Sequence, residues 1–354
     1  MKIVVAGGGT AGHIEPAMNV ADAIKARYPN AEIVALGTVR GLETDLVPAR
    51  GYKLELIEPV PLPRRLNGDL FSLPYRLGKA IGQCREVLAD ADLLIGFGGY
   101  VALPAYLAAR KRVPIVVHEA NAKAGLANRV GARFASVKAE TVADSIPNAK
   151  LTGIPLRKSI AQFDRTKLRA EALEYFKLNH EQPVLLVFGG SQGAQKINQV
   201  MEDSRARNLF SQVQVIHAIG AKNELPSDLP SNYHAMHYID RMDLAYAAAD
   251  FVISRSGAMT VAELTAVGLP ACFVPFPIGN GEQRLNAATV VSAGGALCIA
   301  DEAFTSDYVA AQVLPVVLNL DRRVAMGEIS AQSGHRDADL QILNLIEPIL
   351  AGVK

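Results

Sequence analysis

Residues 2–13 read "KIVVAGGGTAGH". An apolar, largely β-branched run ends in a turn of glycines, and the residues that follow change period. Ile14, Ala17, Met18, Ala21 and Ile24 fall on one face of a helix. Strand, tight turn and helix in that order form the opening unit of a parallel α/β sheet, in which right-handed crossovers return each strand to the same side. The pattern continues through "EIVALG", "KLELIE", "LLIGFGG" and "PIVVHEA", and restarts after about residue 155 with "VLLVFGG", "VQVIHAIG", "YHAMHYI", "DFVISRSG" and "PACFVPFP".

The two halves echo one another. "IVVAGGGTAGH" parallels "LLVFGGSQGAQ", and "LLIGFGGYVALPA" parallels "DFVISRSGAMTVAEL". The expected fold class is therefore α/β, with two doubly wound, parallel-sheet (Rossmann-like) domains facing a central cleft. The joint is expected within "TGIPLRKS", residues 152–159, where Gly153 and Pro155 punctuate the pattern. The division predicted is 1–155, 156–335, and a terminal amphipathic helix in 336–354 able to pack back on the N-terminal domain. Ligands of such sheets bind beyond the C-terminal ends of the strands.

Composition limits the function. The chain has 354 residues, enough for two cores, and a net charge of +1 that gives no basic footprint for nucleic acid. Cys84, Cys272 and Cys298 lie far apart with no C-x-x-C pair, which argues against a disulfide framework or a zinc site and suits a reducing compartment. No signal-peptide pattern opens the sequence, and no apolar run approaches the ~20 residues of a membrane span.

Gly7, Gly9 and Gly12 satisfy G-x-G-x-x-G, which alone is a weak signal. A dinucleotide site also needs an acid at the end of the second strand to hold a ribose. "AEIVALGTVRG" ends on Gly37 and Thr38, with Glu32 at the wrong end and Glu43 beyond the turn. A NAD-dependent oxidoreductase is disfavoured on that count. Glycine turns at three strand ends, residues 7–12, 96–99 and 189–193, suit phosphate oxygens instead, because they free backbone N–H groups at helix N-termini.

Six stretches in order, "GGGTAGHIEPA", "GFGGYVALPA", "HEANAKAGLANR", "GGSQGAQKIN", "RSGAMTVAEL" and "PFPIGNGEQRLNA", together resemble the MurG family of peptidoglycan N-acetylglucosaminyltransferases. The resemblance runs from Lys2 to about residue 290. It implies a GT-B fold and inverting transfer of GlcNAc from UDP-GlcNAc to undecaprenyl-pyrophosphoryl-MurNAc-pentapeptide (lipid I), giving lipid II. No cofactor and no metal are implied. The implied setting is the cytoplasmic side of the cell membrane, peripherally attached to anionic lipid, with cell-wall synthesis or divisome proteins as further partners.

Residue by residue, the resemblance carries these roles. His13 and Glu119 are rival candidates for the base; an N-capping histidine and a loop-capping carboxylate are the plain structural alternatives. Thr10, Ala11, Gly12 and His13 are placed near the donor with Asn121, Arg157, Ser191, Gln192, Ile239, Met259, Thr260, Glu263 and Gln283. The N–H groups of Met259 and Thr260, at a helix start, would meet the α-phosphate. Glu263, one turn on, would take the ribose hydroxyls, and the backbone of Ile239 would meet the uracil. Gly8, Gly9, Thr10, Gly98, Gly99 and Tyr100 are assigned to the acceptor.

Three departures from the family pattern are Ala11 for a glycine, Ile154 for an asparagine, and Glu282 for a glutamine, which leaves the role of Glu282 open. The triplets Asp90–Asp92 and Asp337–Asp339 could suggest a metal, but the first precedes a strand and the second opens a helix. "PRRLNGDLFSLPYRLGKAIGQCR" mixes basic and apolar residues as an interfacial segment does, with Arg64, Arg65, Leu70, Phe71, Arg76 and Lys79 as expected membrane contacts; an ordinary amphipathic helix is the alternative. Other readings of the whole chain are a UDP-GlcNAc 2-epimerase of the same architecture and a non-catalytic sugar-nucleotide sensor.

Overall fold

β1 (Lys2–Gly7) is buried from Ile3 onward, which explains its almost unbroken apolar run: a parallel strand covered by helices on both faces has no polar side. The computed structural model describes residues 1–39, 41–60, 69–190, 192–278 and 281–352, with the side chains of 69–71 outside that description. Around β1 lie β2 (Glu32–Gly37), β3 (Lys53–Leu56), β4 (Leu93–Gly98), β5 (Ile115–Glu119), β6 (Val137–Glu140) and β7 (Lys150–Leu151). They form one parallel sheet in the order β3-β2-β1-β4-β5-β6-β7. A second parallel sheet holds β8 (Val184–Phe188), β9 (Gln214–Ala218), β10 (Tyr233–Met236), β11 (Phe251–Ser254), β12 (Ala271–Phe273) and β13 (Ala296–Cys298), in the order β10-β9-β8-β11-β12-β13.

The chain divides into two units, 1–157 with 337–354, and 158–336. In the first, the Ala11–Arg27 helix buries Ile14, Ala17, Met18, Ala21 and Ile24, the face its spacing defines. The Ala338–Ala351 helix belongs to this unit as well. Its Ile342, Leu343, Ile346 and Leu350 enter the same core as Ile14 and Ile24, and Glu347 pairs with Arg27 at 2.8 Å. Asp90 and Asp92 clamp the start of β1: Lys2 Nζ lies 2.5 Å from Asp90 and its backbone N–H donates to Asp92 at 2.7 Å. That is the end of the sheet opposite the glycine loops.

Strand order reverses between β1 and β4 in one sheet and between β8 and β11 in the other, and such reversals are where open α/β sheets bind ligands. The segments leaving those four strands carry Gly8 and Gly9, Gly99, Gly189 and Gly190, and Gly257. Gly7 and Gly98 are register partners across β1 and β4, so the first two loops emerge side by side.

Candidate active site

In the first unit the loops after β1 and β4 are in contact. Gly99 has φ +80°, and a Cβ there would lie 2.1 Å from the Gly8 carbonyl oxygen, so only glycine permits the approach. Gly9, at φ +91°, lies under the Tyr100 ring, whose side chain is exposed. Gly8, Gly9, Thr10, Gly98, Gly99 and Tyr100 therefore form one cluster. Thr10 is the extended N-cap of the Ala11–Arg27 helix. Its hydroxyl lies 3.1 Å from Nδ1 of His13, and Nε2 of His13 faces Gly98, where an added Cβ would be 3.3 Å away.

His13 is half-buried, and burial lowers its pKa from 6.5, favouring the neutral imidazole. The helix N-terminus acts in the same direction. Ala11 and Gly12 are exposed in the first turn, where helical N–H groups lack an intrahelical acceptor.

The acid that follows β2 has an unforeseen place. Glu43 is 0% exposed, and its Oε2 accepts the Gly9 N–H at 3.0 Å. Its Oε1 accepts the Thr38 N–H at 2.8 Å and the Thr38 hydroxyl at 3.1 Å. The acid that a dinucleotide would need at the strand tip is spent on the loop's own backbone.

Glu119, at the end of β5, is 3% exposed. Its Oε1 accepts the Asn121 N–H at 2.9 Å and Asn121 Nδ2 at 3.4 Å; its Oε2 accepts Asn128 Nδ2 at 2.9 Å and the Gly125 N–H at 3.2 Å. Burial raises its pKa against the opposing pull of those donors. Asn128 is held in turn by the hydroxyl of the fully buried Tyr106, which donates to its Oδ1 at 2.8 Å. Asn128 and Tyr106 escaped the sequence reading because their roles arise only from this long-range contact.

In the second unit the loop after β8 turns through Gly190 (φ +91°) and Gly193 (φ +76°), with Gln192 exposed; Ser191 lies outside the described residues. The Ala258–Val267 helix starts from Gly257, and its hydrogen-bond ladder opens with Val261 N–H donating to Gly257 O at 3.0 Å. The N–H groups of residues 258–260, Met259 and Thr260 among them, thus precede the ladder. Beneath them the hydroxyls of Ser254 and Ser256 are buried with no hydrogen-bond partner among the described residues.

Glu263 is buried, not solvated, and its Oε2 accepts the hydroxyl of the fully buried Tyr246 at 2.8 Å. Gln283 receives the Phe276 N–H on Oε1 at 2.9 Å, which turns its amide nitrogen elsewhere. Ile239 is buried, and Arg157, half-buried, ends the first unit. Arg255, which sequence reasoning passed over, donates to the Val274 carbonyl at 3.0 Å, pairs with Asp301, and lies over the Phe276 ring.

Of the expected membrane contacts, Arg64 and Arg65 fall outside the described residues, as do the side chains of Leu70 and Phe71 in the Asp69–Val87 helix. Leu73 and Leu77 pack against the core, Lys79 pairs with Glu58 at 2.8 Å, Arg76 is half-buried, and Tyr75 is 77% exposed. No helix among the described residues is long and apolar enough to cross a membrane.

Two doubly wound parallel-sheet units, each with glycine or helix-terminal N–H groups at its switch point, are the architecture of the GT-B fold. Residues 3–139 match the model for the glycosyltransferase family 28 N-terminal domain, and residues 184–342 that for its C-terminal domain. A protein of Mycobacterium sp. (strain KMS), named UDP-N-acetylglucosamine–N-acetylmuramyl-(pentapeptide) pyrophosphoryl-undecaprenol N-acetylglucosamine transferase, is 57% identical over 346 residues, covering 96% of this chain and 93% of that one. The crystal structure of Acinetobacter baumannii MurG matches with a TM-score of 0.79 at 26% identity, over 98% of this chain and 99% of that one. The chain belongs to glycosyltransferase family 28 and, within it, to the MurG family. A Neisseria meningitidis UDP-GlcNAc 2-epimerase bound to UDP-GlcNAc also matches, with a TM-score of 0.69 over 98% of this chain and 99% of that one. At 14% identity that likeness is one of fold alone, and the epimerase reading is set aside.

Proposed function

We infer that the protein transfers GlcNAc from UDP-GlcNAc to the MurNAc 4-hydroxyl of lipid I, with inversion, producing lipid II. The observation that carries this reading is 57% identity along nearly the whole chain to a relative named for that transferase. The acceptor is assigned to the first unit and the sugar nucleotide mainly to the second.

His13 is the general base. In the tautomer that donates Nδ1–H to Thr10, the Nε2 lone pair is left for the acceptor hydroxyl, and the lowered pKa favours the neutral ring. Glu119 serves as the organiser of the loop that carries Asn121, since both of its oxygens are already committed to N–H donors. Gly8, Thr10, Gly98, Gly99 and Tyr100 face the acceptor's pyrophosphate and sugar, with the free N–H groups of the first helical turn.

On the donor side, the N–H groups of Met259 and Thr260, with Ser191 and Gln192, stabilise the departing diphosphate. Glu263, pinned by Tyr246, takes the ribose hydroxyls, and the Gln283 amide nitrogen and Asn121 take sugar hydroxyls. Ile239 and Arg157 complete the nucleotide contacts. Attachment is peripheral, on the cytoplasmic membrane face, with the exposed Tyr75 beside Arg76 as the described part of the contact.

The test is UDP release from UDP-GlcNAc with and without a soluble lipid I analogue. Analogue-dependent release with a disaccharide product is expected. Binding of UDP-GlcNAc without acceptor-dependent release would remove the transferase assignment.

A further inference from the structure

The carboxylate of Glu43 lies where the fold makes special room for it. Three glycines surround it: a Cβ on Gly37 would come within 2.5 Å of Glu43 Cγ, one on Gly41 would overlap Oε2, and one on Gly8 would lie 3.2 Å from Oε1. No cation pairs with it among the described residues. Its compensation is three donors: the Gly9 N–H, the Thr38 N–H and the Thr38 hydroxyl. A buried carboxylate without them would be strongly unfavourable. Two of these donors lie on the strand-end turn that Glu43 itself follows, and the third reaches across to the loop after β1.

We propose that Glu43 is a positioning residue for the acceptor-side loop. By taking the Gly9 N–H it fixes that residue in its left-handed turn and withdraws one amide from phosphate binding. The N–H groups of residues 10–12, together with the Gly8–Gly99 contact, are then left pointing at the acceptor's diphosphate. The carboxylate does not touch substrate. This role rests on the assignment of the acceptor to the first unit.

The test is Glu43→Gln in the full-length protein. The side chain keeps its shape, but if its oxygen stays on Thr38 its NH2 meets the Gly9 N–H, donor against donor. Steady-state UDP release should show the KM for a soluble lipid I analogue rising about tenfold, as for one lost charge-assisted bond, with the KM for UDP-GlcNAc within about twofold of wild type. Calorimetric titration of inorganic pyrophosphate, with the donor site saturated by UDP, should weaken by a similar factor.

Unchanged acceptor KM and pyrophosphate affinity in a folded Glu43→Gln variant would overturn the proposal. So would equal increases in both KM values alongside a lowered Tm, the mark of a merely structural residue. If Glu43→Gln does not fold, Thr38→Val decides. It removes only the hydroxyl bond, and an acceptor-selective rise of about threefold is expected; no selective change overturns the proposal. A wild-type protein that transfers nothing would remove the reaction assigned above, yet the pyrophosphate titration would still judge the loop.

Discussion

Glu119→Gln separates the two candidate bases. The substituted amide would present one oxygen and one NH2 where Glu119 now presents two acceptors. Whichever way the amide turns, its NH2 faces two donors: Asn121 N–H and Nδ2, or Asn128 Nδ2 and the Gly125 N–H. Each buried donor left unsatisfied costs about 1–3 kcal/mol. Two such donors give roughly 2–6 kcal/mol, the weaker 3.4 Å contact favouring the Asn121 side and the lower part of the range. For a domain of this size that corresponds to a Tm lower by roughly 5–15 °C.

Circular dichroism against temperature measures the stability loss, and UDP release measures its consequence. With Asn121 misplaced, the KM for UDP-GlcNAc should rise while the shape of the pH–rate profile stays that of the wild type. A Glu119→Gln protein that melts with the wild type, but has lost about 10²–10⁴ in kcat together with its acid limb, would refute the reasoning and make Glu119 the base.

Other outcomes follow from the same geometry. The acid limb of the kcat/KM profile should have its midpoint below 6.5, because burial favours neutral His13, and the rate should fall as the imidazole protonates at lower pH. His13→Gln should lose about 10²–10⁴ in rate together with that limb, and a wild-type midpoint at or above 6.5 would contradict the assignment. Tyr246→Phe removes the hydroxyl that holds Glu263 at 2.8 Å, so the KM for UDP-GlcNAc should rise severalfold with kcat little changed, measured by the same release assay. Gly96→Ala should destabilise by about 1–3 kcal/mol in guanidinium unfolding, since its Cβ would lie 2.0 Å from the Tyr106 hydroxyl and 2.3 Å from the ring.

The sequence was most legible where burial is two-sided. β1, β4, β5, β8 and β11 are covered on both faces, so each is written as a run of apolar residues ending in its functional loop. β6, "VKAE", β7, two residues long, and β13, "ALC", went unread. β7 and β13 are edge strands and β6 is next to an edge; strands this short, or partly exposed, carry little periodicity. Helix starts were legible too, because Gly257 and the apolar residues after it mark where the Ala258–Val267 helix begins.

Exposure was the harder property. The family resemblance singles out Glu263, but its burial and the hydroxyl of Tyr246, seventeen residues earlier on another helix, that donates to it are legible only in the structure. Within the interfacial segment, Leu73 and Leu77 pack against the core while Tyr75 between them is exposed, a division that the mixed basic and apolar composition does not resolve.

The polar groups that sequence reasoning missed share one position in the architecture. Glu43 backs the loop after β1, Asn128 and Tyr106 back the loop after β5, and Tyr246 backs the ribose candidate on the second unit. Each is buried, and each binds a loop or a side chain in place. Glycines make the space in the first unit: Gly37 and Gly41 around Glu43, Gly96 and Gly131 around Tyr106. Several glycines in the strand-end segments are thus explained by a large side chain behind them, with no need for a phosphate in front. A diphosphate ligand gains most from donors that do not reorganise when it arrives, because their alignment has already been met in folding. Loops held from behind by buried acceptors satisfy that condition. The G-x-G-x-x-G spacing alone does not, which is why the same three glycines fit a dehydrogenase on paper and a transferase in this fold.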